Sequence, residues 1–271
     1  MRGLFTAGVL DALYHGGVRF DGIIGVSAGA CFGCNYKSHQ PGRVIRYNLR
    51  FARDPRYCSW SSLLRTGDLF GAEFCYHTLP DELDPFDRAA YEGDPTAFYC
   101  VTTDCATGEP RYHRCDRADD DMLERLRASA SMPLVARPVP LDGGLHLDGG
   151  LSDGIPLRHF ESLGYDRNVV VLTRPRGYRK FPSWKHLAAA PFLLRFPAVR
   201  RAIRTRHEWY NAALDYIAGR ERAGAALVIA PSAPLPVGRV CHDPAVLQRT
   251  YDIGLAAGKA ALAAGGFFSR A

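Results

Sequence analysis

One stretch restricts the fold more than any other: Ile23-Ile24-Gly25-Val26-Ser27-Ala28-Gly29-Ala30. An apolar run ends in Gly-x-Ser-x-Gly and passes directly into small residues. That is the pattern of a buried strand, a sharp turn carrying one serine, and a helix starting behind it. Glycine is expected at Gly25 and Gly29 because strand and helix cross closely there, and a side chain at either would collide. The turn would hold the Ser27 hydroxyl at its tip, above helix N–H groups that suit a developing negative charge. The same pattern also serves as a tight turn without chemistry, and both readings stay open at this stage.

Around this stretch the chain alternates helical and strand-like segments. Leu4, Phe5, Val9, Leu10, Leu13 and Tyr14 are spaced for a helix that Gly16-Gly17 stops. A helix over 28–36 follows the serine turn. Residues 41–95 are mixed, with helical pieces near 42–52 and 81–92, and are expected to form a cap over a sheet. Strands are predicted at 98–103, at 111–113 and at the continuous apolar runs 168–173 and 226–231, with helices at 121–130, 197–220 and 243–264. Short apolar strands separated by helices predict a three-layer α/β/α fold with a mostly parallel central sheet, and a single domain over 1–271.

Composition sets outer limits. With 47% hydrophobic and 23% charged residues the chain is an ordinary globular protein. No run approaches the roughly 18 apolar residues of a membrane-spanning helix, and the N-terminus does not read as a signal peptide. Eight cysteines without an export signal predict reduced thiols and a cytoplasmic protein. Cys31-Phe32-Gly33-Cys34 lacks the second ligand pair of a zinc site and lies inside the helix after Ser27, so packing is the expected role. The charge of +6 is uneven: Arg174 to His207 holds ten Lys or Arg and no acid, interleaved with Tyr178, Phe181, Trp184, Phe192 and Phe196. Residues 174–206 thus suit peripheral contact with an anionic membrane, or form a solvated basic helix over a core; no nucleic-acid motif accompanies them.

A serine hydroxyl needs a base. The chain has nine histidines, but an α/β-hydrolase elbow follows several strands and precedes a late histidine loop. Ser27 comes too early for that, and His242, the only late candidate, fits better at the start of the last helix. A carboxylate in direct contact is the other solution. Asp148, in Asp148-Gly149-Gly150 after a strand-like segment, is the best placed, although Asp-Gly is also a common turn. Asp142-Gly143-Gly144, six residues earlier, reads as a plain turn.

Met1–Leu10, the Gly25–Gly29 elbow, Thr103–Glu109, Ala130-Ser131-Met132-Pro133-Leu134 and Asp148-Gly149-Gly150 occur in an order and spacing that resemble the patatin-like phospholipases, in a bacterial branch. The resemblance covers nearly the whole chain. It implies hydrolysis of lipid acyl esters, commonly phospholipids, by a phospholipase A-type reaction through a Ser27–Asp148 dyad and an acyl-enzyme, with no metal or cofactor. It further implies an oxyanion site at Arg2, Gly3 and Ala28, with Gly25, Gly29, Gly149 and Gly150 as motif glycines. Members of that family carry a strand and a glycine run ahead of the first helix. This sequence opens inside that run and is short at the N-terminal glycine loop; the expectation is a start placed too far downstream and a longer natural product, since the catalytic residues stand intact, and the alternative is a shortened form with impaired or no activity. The alternative function is a catalytically impaired or non-catalytic lipid-binding module on the same fold.

Overall fold

The computed structural model describes residues 1–182 and 194–268; of the basic stretch 174–206, residues 183–193 therefore lie outside the described residues. The chain opens with helix α1 (Gly3–His15) and strand β1 (Gly22–Val26), and α2 (Ala28–Lys37) follows Ser27 directly. A helical section then runs through α3 (Arg43–Arg50), α4 (Trp60–Thr66), a π-helix (Phe74–Leu83) and α5 (Arg88–Gly93). Next come β2 (Ala97–Asp104), β3 (Pro110–Arg114), α6 (Asp120–Ala130), β4 (Val139–Leu141), β5 (Gly144–Asp148) and a 3-10 turn (Gly149–Leu151). The chain continues through α7 (Leu157–Ser162), β6 (Asn168–Val171), α8 (Pro197–Arg222), β7 (Ala226–Ile229) and α9 (Pro244–Ala263).

The three-layer α/β arrangement follows from strand alternation. Successive strand residues face opposite sides, and in β6 and β7 Val170 and Val228 join Leu157 of α7 and Ile217 of α8. Val169, Val171, Leu227 and Ile229 turn the other way, onto Phe5, Val9 and Leu13 of α1 and onto residues of α9. Likewise Phe98 and Cys100 of β2 pack on Met122, Leu123 and Leu126 of α6, while Tyr99 meets Phe160 of α7 and Tyr165.

The five-stranded sheet of β1 to β5 is mixed, and the two-stranded sheet of β6 and β7 is parallel. Parallel pairing joins β1 to β2 and β6 to β7, whereas β3 and β5 run antiparallel to β2, and β4 antiparallel to β5. Strand β2 is the template. Its residues 99–103 pair with β3 along one edge, so β1 and β5 must share the other. There Val26 stands opposite Val101, and Asp148 stands opposite Thr102, the next residue along. The C-terminal ends of β1 and β5 therefore meet.

Several elements match the sequence expectation closely, among them α1, α6, α8, α9 and β2, and the turn expected at Asp142 joins β4 and β5 into a hairpin. Asp142 and Gly143 form the two-residue turn of that hairpin, both at positive φ (50° and 78°), as a type I′ turn requires. The capping section differs. The helical piece expected at 81–92 divides into the end of the π-helix and α5, because Asp84 leaves the helix and Asp87 caps a new one through Ala90 N–H at 2.9 Å.

Helices α1 and α9 approach backbone to backbone. A Cβ on Gly254 would lie 2.0 Å from Phe5 O, and one on Gly8 would lie 2.2 Å from Tyr251 O. Tyr251 Oη also donates to the buried Asp11 at 2.7 Å. Overpacking a filled core costs about 1–3 kcal/mol, so Gly254→Leu is expected to lower the unfolding free energy by about that amount or more. A urea denaturation midpoint equal to that of the parent protein would show that this helix pair is not a rigid seam.

Candidate active site

Ser27 occupies φ 55°, ψ −127°, a backbone region a non-glycine residue rarely enters; such strain costs about 1–3 kcal/mol and persists only where surroundings hold it. Two contacts hold it here. A Cβ on Gly25 would fall 2.5 Å from Ala30 Cα, so β1 and α2 cross as closely as the sequence suggested. Ser27 N–H donates to Ser129 Oγ at 2.8 Å, and that hydroxyl donates to Val101 O at 2.6 Å. Gly29 departs from the expectation: nothing lies within 4 Å of a Cβ built on it. The crossing point is at Gly25, and Gly29 already sits on the open side of α2.

Opposite the elbow, Asp148 ends β5 and is buried, with 4% of its surface exposed. Ser27 Oγ donates to Asp148 Oδ2 at 2.7 Å, and Gly150 N–H donates to Oδ1 at 2.7 Å. The main chain of Asp148 is fixed as well: its N–H donates to Ser131 O at 2.8 Å, and Thr103 Oγ1 donates to its carbonyl at 2.8 Å. Gly149 must be small, since its Cβ would lie 2.2 Å from Val101 O. Burial pushes the Asp148 carboxyl above its ordinary value of 3.8, against the lowering effects of the Ser27 hydroxyl, Arg206, the Gly150 N–H and Lys180.

The start of α1 borders the elbow. A Cβ on Gly3 would stand 2.6 Å from Ala28 Cβ, so the first residues of α1 and of α2 lie side by side. The first N–H groups of a helix have no partner within it, and both sets are donors at this junction.

Beneath Ser27 lies a cavity of about 200 Å³ whose walls come largely from α2, the cap and α6, including Phe32, Tyr57, Phe70, Leu79, Met122 and Leu126. A dry apolar cavity of ~150 Å³ already admits benzene, so this one has room for part of an alkyl chain. Cys31 and Cys34 face the same space. Burial pushes their thiols up to about 11 and about 12, the opposite of an activated redox pair, and all eight cysteines are unpaired.

His242 is held elsewhere: its Nδ1–H donates to Ala52 O at 2.7 Å. Among the described residues no histidine is hydrogen-bonded to Ser27, and no group of three or more potential ligands could hold a metal ion. Sequence reasoning did not assign roles to Ser129, Thr103 or Arg206. Ser129 stood in a visible run of small residues before Pro133, but its partners lie on β1 and β2, far away along the chain.

A family profile for patatin-like phospholipases matches residues 1–160. The chain belongs to this family of lipid hydrolases, whose fold is α/β. A second profile, for a domain of unknown function, matches residues 196–267. The chain is 30% identical over 193 residues to the Escherichia coli protein YjjU, an alignment covering 68% of this chain and 52% of YjjU. It is 29% identical over 177 residues to lysophospholipase NTE1 of Pyricularia oryzae, covering 61% of this chain and 11% of that protein. A patatin-like phospholipase domain-containing protein of Caenorhabditis elegans, ZK370.4, is 28% identical over 170 residues, covering 60% of this chain and 12% of its own length. The aligned part thus spans about half of one of these relatives and about a tenth of the others.

The raised pKa of Asp148 has a consequence for stability. A carboxyl whose folded-state pKa exceeds its unfolded value of ~4 contributes stability below that unfolded value and loses it as pH rises through the folded one. At neutral pH the ionised, buried Asp148 therefore opposes folding. Asp148→Asn is expected to raise the thermal midpoint at about pH 7.5, with the gain shrinking as pH falls toward about 4. A lower midpoint for the variant across that whole range would contradict this.

Proposed function

We propose that the chain hydrolyses acyl esters of lipids, phospholipids among them, with Ser27 as nucleophile and Asp148 as base. The observation that carries the reading is the 2.7 Å hydrogen bond from Ser27 Oγ to Asp148 Oδ2, made on a left-handed elbow at the edge of an apolar cavity. The sequence relationship to a lysophospholipase supports an ester of a lipid as the substrate.

Ser27 Oγ attacks the ester carbonyl carbon while its proton passes to Asp148 Oδ2. The carbonyl oxygen gains negative charge, and the N–H groups at Ala28 and at the Arg2–Gly3 end of α1 are the nearby backbone donors; one such donor is worth about 3 kcal/mol in comparable enzymes. The C–O bond breaks, the leaving alcohol takes the proton from Asp148, and the acyl group stays on Ser27. Water then gives a proton to Asp148 and attacks the acyl carbon, and the fatty acid leaves as the proton returns to Ser27 Oγ. A carboxylate is a weak base near pH 7, since its ordinary pKa is ~4. Burial strengthens Asp148 in that role, and the short contact removes the need for proton diffusion. No step needs a metal or cofactor.

Access to lipid is proposed to run through the exposed part of the basic stretch. Arg195, Arg200, Arg201 and Arg204 are exposed, together with Phe181 and Leu194, a mixture of cationic and apolar groups suited to an anionic bilayer surface. Among the described residues no helix is long and apolar enough to cross a membrane, which fits a peripheral contact. Unpaired cysteines fit a reducing compartment such as the cytoplasm.

Ser27→Ala is expected to abolish labelling by a fluorophosphonate probe, and both Ser27→Ala and Asp148→Asn to lower kcat/KM on a short-chain ester by at least about a thousandfold. Vesicle binding without any turnover or labelling in the parent protein would instead support a non-catalytic lipid-binding module. Reversing the charge of Arg200, Arg201 and Arg204 together should weaken binding to anionic vesicles by at least about tenfold; unchanged binding would remove this surface from the account.

A further inference from the structure

The elbow has two unlike sides. One is the apolar cavity. On the other, cations converge from separate parts of the chain: Arg2 at the start of α1, Arg174 and Lys180 after β6 and Arg206 on α8, with Arg239 ahead of α9 standing where the two sides meet. The Arg206 guanidinium reaches 3.1 Å from where a Gly150 Cβ would stand. Arg206 and Lys180 both act on the charge of Asp148, and Arg239 lines the cavity beside Ser27. Arg2, Arg174, Arg206 and Arg239 are all close enough to Lys180 to disfavour its charge.

The scaffold orders this cluster without neutralising it. Lys180 Nζ lies 4.0 Å from the Tyr210 ring centroid and Arg174 4.8 Å from that of Tyr178, and the two rings meet edge to face at 6.2 Å. Asn211 fixes the backbone of Lys180, accepting from its N–H and donating to its carbonyl, each at 2.9 Å. Arg206 Nε is buried and has no hydrogen-bond partner among the described residues. Neighbouring arginines are treated differently: Arg176 is paired with Glu221 and Arg179 with Asp215. Among the described residues none of the five clustered cations forms a salt bridge with a carboxylate.

Burying like charges without counter-ions is costly. The cost shows in Lys180, whose ammonium is pushed down to about 7, first by burial and then by the surrounding guanidinium groups. Arg206 and Lys180 favour the ionised form of Asp148, but Arg2, Arg174 and Arg239 gather around Lys180 as well, which service to that carboxylate does not explain. An anion seated among them would collect charge-assisted hydrogen bonds, which guanidinium groups make especially well with phosphate.

We propose that Arg2, Arg174, Lys180, Arg206 and Arg239 form a phosphate subsite that holds the headgroup of the ester substrate and selects lipids of net negative headgroup over zwitterionic choline lipids. This rests on the reading of Ser27 and Asp148 as the hydrolytic pair. The phosphate lies on the cationic side of the elbow while the acyl chain enters the cavity. A choline cation tethered to that phosphate would stand among like charges. Arg206 and Tyr210, and Arg239 with them, come from the region matched by the domain of unknown function, so that region acquires a role in headgroup choice. Lys180 and Arg174 also lie outside the stretch matched by the family profile.

Soluble dihexanoyl lipids, used below their micelle concentration, separate this subsite from the exposed membrane surface. The parent protein is expected to show a kcat/KM at least about tenfold higher for dihexanoyl phosphatidate than for dihexanoyl phosphatidylcholine, the worth of one charge-assisted hydrogen bond. Lys180→Gln and Arg239→Gln should each lower that ratio by about fivefold or more, and Arg239→Lys should restore most of it. Equal rates on the two lipids, or a ratio untouched by both Gln variants, would overturn the proposal. Calorimetry on the Ser27→Ala protein decides the matter independently of turnover. Tighter binding of dihexanoyl phosphatidate than of the choline lipid, lost in Ser27→Ala/Lys180→Gln, supports the subsite even if hydrolysis is never seen, in which case only the catalytic reading fails. Binding of inorganic phosphate without binding of dihexanoyl phosphatidate would identify a site for free phosphate and overturn the headgroup assignment.

Discussion

The arrangement depends on one edge of β2. Because β3 occupies the other edge, β1 and β5 are laid end to end along this one, parallel and antiparallel respectively. Their C-terminal ends meet at the adjacent positions Val101 and Thr102. A strand pair is fixed by hydrogen bonds along its length, so two groups placed by neighbouring rungs of one ladder have little freedom to drift. Ser27 leaves the end of β1 and Asp148 closes β5, and their 2.7 Å contact follows from that register. The supporting contacts use the same strand: Val101 O receives the Ser129 hydroxyl and crowds Gly149, and Thr103 Oγ1 holds the Asp148 carbonyl.

Around this junction the environment is divided. Helix α2, the cap and α6 supply an apolar wall, and helix α8 with the loops before it and after β7 supplies cations. Burial alone would tend to protonate Asp148; the nearby cations and the Gly150 N–H oppose that tendency. The carboxylate is thus held in a setting where it is a stronger base than in water yet remains ionisable. The strained backbone of Ser27 and the buried charges are both unfavourable locally, and the tightly packed pair α1 and α9 is part of the structure that sustains them.

Much of this was legible in the sequence. The helix before Gly16, the strand–turn–helix at Ser27, the apolar strands expected at 168–173 and 226–231, which end at 171 and 229, and the long closing helices were visible as periodicity and punctuation. The capping section was legible only in part: α3 falls within the helical piece expected at 42–52, but most of the π-helix had no counterpart. Its π-helix contains Pro80, and a proline inside a helical stretch reads as a break; only packing against the cavity and the cores around it sustains that turn geometry. The reading of Gly29 as a crowded glycine also failed, because a Gly-x-Ser-x-Gly pattern gives two glycines without saying which one touches the crossing backbone. The basic stretch looked uniform along the chain, yet its arginines divide into salt-bridged, solvent-exposed and site-facing groups.

By itself the sequence determined the local chemistry: a serine on a turn flanked by small residues, a carboxylate followed by two glycines, and a basic segment free of acids. Those are properties of neighbours along the chain, fixed by φ/ψ preference and side-chain type. Tertiary structure decided which of them meet. The contact of Ser27 with Asp148 spans 121 residues, and the gathering of Arg2 with Lys180, Arg206 and Arg239 spans most of the chain. Both depend on strand register and helix packing, which no local pattern encodes, because each is settled by the burial of many residues at once.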